Sequence, residues 1–432
     1  MLRICSLPNG ITLLCERMPQ VDTVSLGLWQ RVGSIHESAA TNGMTHFVEH
    51  MLFKGTSRYS ARDIAMRMDS VGAAMNAFTA REKTCFYANV MASHAPMVFD
   101  LLRDMYFDST FPAKEIAREK EVILQEIHMY EDSPDDSVHD HFITQLWPAH
   151  PIGYTVAGRA ENVAAIRRDA LMRFFNKYYV TDRLIISVAG AIDPEKIKDT
   201  FSRWPERRAA SSAAEGAAGE VYVLPPTPGP EYTLYAHKKP LEQVHLLLGM
   251  PGMRKAHPWR FAIALLNQIW GGSMSSRLFQ RIREETGFCY AIYTFPAMMH
   301  ETGYFGIYCA TSDKYLDKVL SLIRRENDLL LRRGVSAEEL RCAKEQLKSA
   351  FLIGRECVES RMNYNAMQEL IFGRRGSVRG VLSGIENVTI DEVNEVIQYV
   401  LGGGRCAVRT LGPKNTMPLL ERHFPGTPHA RI

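Results

Sequence analysis

Apolar and polar positions alternate with two different periods along this chain, and the places where the period changes outline its elements. Segments 11–16 and 21–31, rich in Val, Leu and Ile, read as strands. Over 43–56 the period lengthens: Met44, Phe47, Val48, Met51 and Leu52 recur at helical spacing. Asn42 stands where an N-cap is expected, and Gly55 where a helix C-terminus favours a residue with positive φ. A helical stretch follows over 60–71, then two strands over 72–90 that turn at 80–83. Helical spacing returns over 94–107 and 114–131. The unbroken apolar run of 183–190 predicts a central strand, covered on both faces.

Composition then shifts. Residues 206–219 are Arg, Ala, Ser, Glu and Gly, and 225–230 are dominated by Pro, which marks a linker. Past it the pattern restarts: Val244, Leu246 and Leu248 follow Val24, Leu26 and Leu28 at an offset of 220. Segment 405–412 echoes 183–190 at an offset of 222, and a helix over 261–270 takes the place of the 43–56 helix without His or Glu. The expected architecture is α+β: two tandem homologous α/β-roll domains, each a mostly antiparallel sheet packed by helices. They span 1–206 and 231–432, joined by a linker region over 207–230, with a metal site only in the first.

A length of 432 residues exceeds one ordinary core, in keeping with that division. A net charge of +3 is too small at this length to argue for nucleic acid or an acidic membrane surface. No apolar run reaches the length of a membrane span, and the N-terminal residues read as strand and turn rather than a signal or transit peptide. The eight cysteines are scattered without a C-x-x-C pair, which suits a reducing cytoplasm, and none is assigned to metal.

His46 and His50, four residues apart, project from one side of the 43–56 helix. With Glu49 beside them they match the ligand pair and general base of a zinc hydrolase. The order H-x-x-E-H reverses the more familiar H-E-x-x-H and is an inverzincin signature. On a solvated face the same spacing would carry no chemistry, so the assignment turns on a third ligand.

Over 112–131, Ile116, Ile123, Ile127 and Tyr130 form a stripe that also contains Glu119 and Glu126, all six within an arc of roughly 100°. Two carboxylates facing a core are costly unless a cation meets them, and a zinc ion held by two histidines is such a cation. Three protein ligands plus water is the usual catalytic arrangement. A half-exposed stripe with both glutamates solvated is the alternative. The cluster of Asp135, Asp136, His139, Asp140 and His141 reads as a mixed surface segment, because alternate residues on a helix do not face one another. The glycine runs at 271–272 and 402–404 lack the Lys and Ser/Thr of a phosphate loop.

With these residues in place the sequence resembles the pitrilysin/insulinase family of zinc metallopeptidases, in particular its short-chain branch, which includes the mitochondrial processing peptidase catalytic subunit and bacterial relatives. The resemblance runs from Leu7 to Gly412. It rests on Asn42-Gly43-x-x-His46-Phe47-x-Glu49-His50-Met51-x-Phe53-Lys54-Gly55-Thr56, on Asn76-Ala77-Phe78-Thr79 and on Glu119-x6-Glu126. In the second half Gly272-Ser273-Met274-Ser275-Ser276-Arg277-Leu278-Phe279 and Arg283-x6-Tyr290 also fit.

That resemblance implies one zinc per chain, held by His46, His50 and Glu126, with Glu49 as general base and Glu119 as a supporting carboxylate that orients a ligand. It implies that Arg283 and Tyr290 hold substrate and the developing oxyanion. Asn76, Ala77, Phe78 and Thr79 would form an edge strand that takes up an extended peptide as an added strand. The implied activity is that of an endopeptidase acting on unfolded peptides, either as a processing or as a degradative enzyme. Longer relatives fuse four similar domains, so a homodimer is expected here, its four domains enclosing a chamber in which cleavage takes place, with Arg283 and Tyr290 acting in trans at the partner's zinc. A non-catalytic scaffold or peptide-holding subunit is the alternative; such relatives usually lose motif residues that this chain keeps.

Overall fold

The computed structural model describes residues 2–208, 228–373 and 376–430; most of the expected linker, 209–227, lies outside the described residues. The chain divides into two units, each built on its own sheet. In the first, β1 (Leu2–Ser6), β2 (Thr12–Arg17), β3 (Thr23–Gln30), β4 (Ala74–Thr79), β5 (Thr84–Met91) and β6 (Leu184–Gly190) lie in the order β1-β2-β6-β3-β5-β4. Every pairing is antiparallel except β2 with β6. In the second, β7 (Leu234–Lys238), β8 (Val244–Pro251), β9 (Cys289–Met298), β10 (Gly303–Thr311) and β11 (Ala407–Gly412) run in the order β7-β11-β8-β10-β9. Again one pair, β7 with β11, is parallel and the rest are antiparallel.

Laid over one another, β2-β6-β3-β5-β4 and β7-β11-β8-β10-β9 are the same topology, with β1 an addition at one edge. The echo between Val24 and Val244 thus aligns β3 with β8, and the echo between 183–190 and 405–412 aligns β6 with β11. The expected tandem α+β architecture is the one observed.

The units differ from the continuous halves 1–206 and 231–432 in two segments. Tyr130–Gly153 belongs with the second unit, and Ile353–Arg375 with the first. The reason is the second face of each sheet. In the first unit one face carries Leu13, Cys15, Leu26 and Leu28 against the helices, including Phe47, Val48 and Met51. Strand alternation sends Leu14, Trp29, Ile185 and Ala189 to the opposite face, where Met362 and Ala366 of the helix Val358–Phe372 cover them. Hence β6 is buried at all seven positions, as its unbroken apolar run requires. The Ser187 hydroxyl donates to the Met362 carbonyl at 2.8 Å.

The helix Pro134–Leu146 does the same for the second sheet. Val138, Phe142 and Leu146 are fully buried along one side of it, and the Gln145 amide donates to the carbonyls of Thr233 and Val408 at 2.8 and 3.3 Å. Gly249 in β8 leaves room for the Phe142 ring, which an added Cβ would meet at 2.6 Å. The surface segment expected over 135–141 is therefore half core: its apolar positions at i, i+4 and i+8 outweigh its acidic content.

Glu16 fixes the first of these covering helices. It lies on β2, 5% exposed, and accepts from Asn365 Nδ2 at 2.8 Å and from Arg361; Arg355 lies 3.4 Å away. Glu16→Ala is expected to leave the Arg361 guanidinium without its carboxylate and to destabilise the first unit by about 3 kcal/mol, measured as a fall in the denaturation midpoint; an unchanged midpoint would show that packing alone holds the helix.

Candidate metal centre

The motif helix, Met44–Leu52, forms because Met44, Phe47, Val48, Met51 and Leu52 all face the core. That leaves His46, Glu49 and His50 on the remaining face. Its first turn is not capped by Asn42. The N-cap is Gly43, in the left-handed region at φ 105, and it lies so close to Gly158 that a Cβ on the latter would come within 2.4 Å of Gly43 Cα. The cap comes from Glu37, six residues earlier and 3% exposed. Its carboxylate accepts from the Gly43 and Thr45 amides at 2.9 and 2.7 Å and from Asn42 Nδ2 at 2.9 Å. Burial pushes the Glu37 pKa up, against the hydrogen bonds of Thr45, Asn42 and Gly43. At the other end Phe53 is a right-handed C-cap; Gly55 does take positive φ, at 125°, but only after the helix has ended.

The second helix, Ala113–Asp132, presents Ile116, Glu119, Ile123 and Ile127 to the core, while Tyr130 leaves the stripe and is 42% exposed. The stripe delivers two carboxylates to the motif helix. Glu119 Oε2 meets His50 Nδ1 at 3.0 Å, and its other oxygen pairs with Lys54 Nζ at 2.7 Å. Burial pushes the Glu119 pKa up, but His50 and Lys54 outweigh it and the net shift is downward. Burial likewise pulls His50 down, and there the Glu119 hydrogen bond with the Glu126 and Glu49 charges reverses the sign. With Nδ1 committed to Glu119, His50 turns Nε2 the other way.

There His50 Nε2 and His46 Nε2 lie 3.5 and 3.6 Å from Glu126 Oε2. One donor atom from each of the three residues falls within 4.8 Å of the others, and among the described residues no second group of this kind occurs. Donors on a tetrahedral zinc with bonds of ~2.1 Å stand about 3.4 Å apart, so two nitrogens and a carboxylate oxygen at these separations fit the ion. His46 is held neutral, its pKa lowered to about 3 by burial and then by His50, which suits a ligand. Its Nδ1 is buried without a hydrogen-bond partner, so packing rather than a polar contact orients this ring.

Glu49 shares the motif helix with both histidines, and its Oε2 accepts from the Thr79 hydroxyl. Burial pushes its pKa up; the Thr79 hydrogen bond and the His50 charge oppose this, while Glu126 adds to it. Thr79 ends β4, the edge strand expected to contain Asn76, Ala77 and Phe78 as well, and among the described residues β4 pairs only with β5. Arg283 and Tyr290 form a separate group in the second unit, the guanidinium 5.8 Å from the tyrosine ring and Tyr290 77% exposed. His139 and His141 do not converge: His139 Nε2 meets Tyr293 OH at 3.1 Å. Sequence reasoning missed Glu37. A loop carboxylate that caps a helix from outside leaves no periodic signal, although a buried acid before an uncapped Asn-Gly start is a pattern that could be sought.

A duplicated α+β fold with H-x-x-E-H on a core helix and a glutamate from a second helix facing both imidazoles defines an inverzincin. Comparison with known proteins narrows the class. Residues 12–160 match the sequence family described as insulinase (peptidase family M16), and residues 165–347 match the peptidase M16 inactive domain. The uncharacterized zinc protease YmxG of Bacillus subtilis is 36% identical over 97% of this chain and 100% of its own length. An uncharacterized zinc protease of Streptomyces coelicolor, SCO5738, is 36% identical over 95% of this chain and 90% of its own. The chain therefore belongs to peptidase family M16, the insulinase family. Among solved structures, a peptidase M16 inactive domain from Pseudomonas fluorescens superposes with a TM-score of 0.83 at 20% identity, covering 96% of this chain and 98% of the other. A protease from Helicobacter pylori does so with 0.83 at 16%, covering 96% and 99%. At such identities these two show the fold alone. No helix among the described residues is long and apolar enough to cross a membrane.

Replacing the cap is expected to loosen the motif helix from its start. Glu37→Ala leaves the buried Gly43 and Thr45 amides without an acceptor and should lower the stability of the first unit by roughly 2 kcal/mol. Hydrogen exchange at those two amides checks it; exchange as slow as in the parent protein would mean that another group caps the helix.

Proposed function

We propose that the protein is a zinc-dependent endopeptidase that cleaves unfolded peptides. The observation that carries this reading is the meeting of His46 Nε2, His50 Nε2 and Glu126 Oε2 within 4.8 Å, with Glu49 on the same helix. In this reading those three residues hold one zinc, and Glu119 fixes the His50 ring through Nδ1. When bound, zinc supplies Lewis acidity that lowers the pKa of a water. Glu49 takes the proton of that water as it attacks the scissile carbonyl, then passes it to the leaving amine. The upward push on the Glu49 pKa suits a group that must hold a proton between the two transfers.

Substrate adds to the outer edge of β4 as a further strand, gripped by backbone hydrogen bonds along Asn76, Ala77, Phe78 and Thr79. Support comes from the Thr79 hydroxyl on Glu49, which ties the end of that edge to the base. Folded proteins, whose backbone is already paired, are poor substrates in this scheme. Arg283 and Tyr290 hold the substrate and donate to the oxyanion. They act in trans within a homodimer, the two chains together supplying four α+β units. The eight cysteines, all free, fit a cytoplasmic site of action.

The purified protein is expected to contain one zinc per chain, and Glu49→Gln to keep that zinc while peptide cleavage falls by about 10²–10⁴-fold, the span of general base catalysis. A fully active variant, read by cleavage of an unfolded peptide with and without chelator, would sink the mechanism. The shared site is tested by mixing Glu49→Gln with Tyr290→Phe, each inactive alone. Subunit exchange places one intact Glu49 and one intact Tyr290 at a common site, so activity should return. Exchange without activity would mean that both groups act within one chain.

A further inference from the structure

Strand alternation along β11 sends Val408 into the core of the second unit and Arg409 to the opposite face, beneath the helix Pro134–Leu146. A buried strand position of this kind ordinarily holds an apolar side chain, as Leu247 does directly across the ladder on β8. Arg409 is 4% exposed and has no carboxylate within ion-pair distance among the described residues. Its guanidinium rests on the Tyr235 ring at 4.3 Å. Only Nη1 finds acceptors, the His141 carbonyl and Gln145 Oε1, at the long distances of 3.4 and 3.5 Å. Burial pulls its pKa down to about 10, the mark of a cation without a counter-charge. A buried charge left in this state is strongly unfavourable.

The guanidinium lines a pocket of about 400 Å³ in the second unit, together with Ser137, His141, His237, Lys239 and Glu131. Neither imidazole has a hydrogen-bond partner among the described residues, and the Arg409 charge disfavours protonation of both. Lys239 is anchored at the rim, where its ammonium donates to the Glu131 carbonyl at 2.6 Å and lies 3.5 Å from Asp132. Glu131 is the one carboxylate among these six. Glu131 and Asp132 stand by Lys239 at the rim and both imidazoles are held toward the neutral form, so the unpaired charge that faces the interior of the pocket is that of Arg409.

We propose that this pocket is a binding site for a phosphate group, held by Arg409 with His141, His237 and Ser137 as further donors. A guanidinium whose Nε and Nη2 make no hydrogen bond among the described residues offers the fork that pairs with two phosphate oxygens. The cavity volume exceeds that of inorganic phosphate and also accommodates the phosphate of a small ester. The site is independent of the metal centre and of the peptidase reading.

Thermal unfolding of the full chain with inorganic phosphate, against chloride at matched ionic strength, tests the proposal. At ten times the dissociation constant phosphate should raise the transition of the second unit by roughly 3–6 °C. Arg409→Gln removes a buried unpaired charge, so this variant should fold at least as stably without phosphate and lose the phosphate-dependent rise. His237→Ala, at an exposed rim position, should keep the fold and weaken binding by roughly five-fold or more, about one lost hydrogen bond. A parallel titration with adenosine monophosphate separates the sources: tighter binding than phosphate identifies an ester, equal or weaker binding identifies the free ion. A rise in phosphate no larger than in chloride, or an Arg409→Gln protein that keeps the parent response, would overturn the site.

Discussion

Glu119 sits almost out of water between His50 Nδ1 and Lys54 Nζ, and the geometry of the candidate metal site depends on its being paired on both sides. A carboxylate buried at this depth is tolerated only where cations or donors meet each oxygen. The requirement ties the helix Ala113–Asp132 to the motif helix at one fixed height. Two helical turns further along, Glu126 then has to arrive opposite the two Nε2 atoms, because seven residues on an α-helix return to nearly the same face. One ion pair thus sets the tautomer of His50, the approach of two helices and the position of the third donor.

How much of this was legible in the sequence depended on whether the signal was periodic. His46, Glu49 and His50 are spaced by the helix that carries them, and Glu119 and Glu126 stand in the stripe of Ile116, Ile123 and Ile127. The apolar run of β6 announced a strand covered on both faces, and the offset between Val24 and Val244 announced the repeat. What the sequence hid is what arrives from a distance. Glu37 reaches the helix N-terminus from a loop, and Asn42, which has the composition of an N-cap, turns its side chain to Glu37 and to the Thr155 carbonyl instead. The helix Pro134–Leu146 was disguised by its polar residues. Three Asp and two His interleaved among them masked Val138, Phe142 and Leu146, whose spacing is that of a helix lying on a sheet.

The repeat also shows which positions were free to diverge. Both units keep the strand order and the single parallel pair, since these define the sheet. The helix Arg260–Trp270, the counterpart of the motif helix, fills its inward face with Ala262, Leu265, Leu266 and Ile269 and carries no metal-binding side chain. The edge strands diverged in another way. β4 brings Thr79 to Glu49, whereas β9 carries Tyr290 with its side chain in solvent. Duplication supplied two equal frames, and chemistry was written into different corners of each.

The covering helix Val358–Phe372 has a consequence for the chain as it is being made. β6 ends at Gly190, and the residues that cover its second face lie 168 positions later, at Val358 and beyond. At a synthesis rate of about 5–20 residues per second, a ribosome needs roughly 10–30 s to make that stretch. Throughout that interval Leu14, Trp29 and Ile185 belong to a sheet with one bare apolar face, in a nascent chain that can complete neither unit alone. The apolar face of the first sheet is thus closed only once the chain has been made past Val358, and a pause in synthesis before that residue would prolong its exposure.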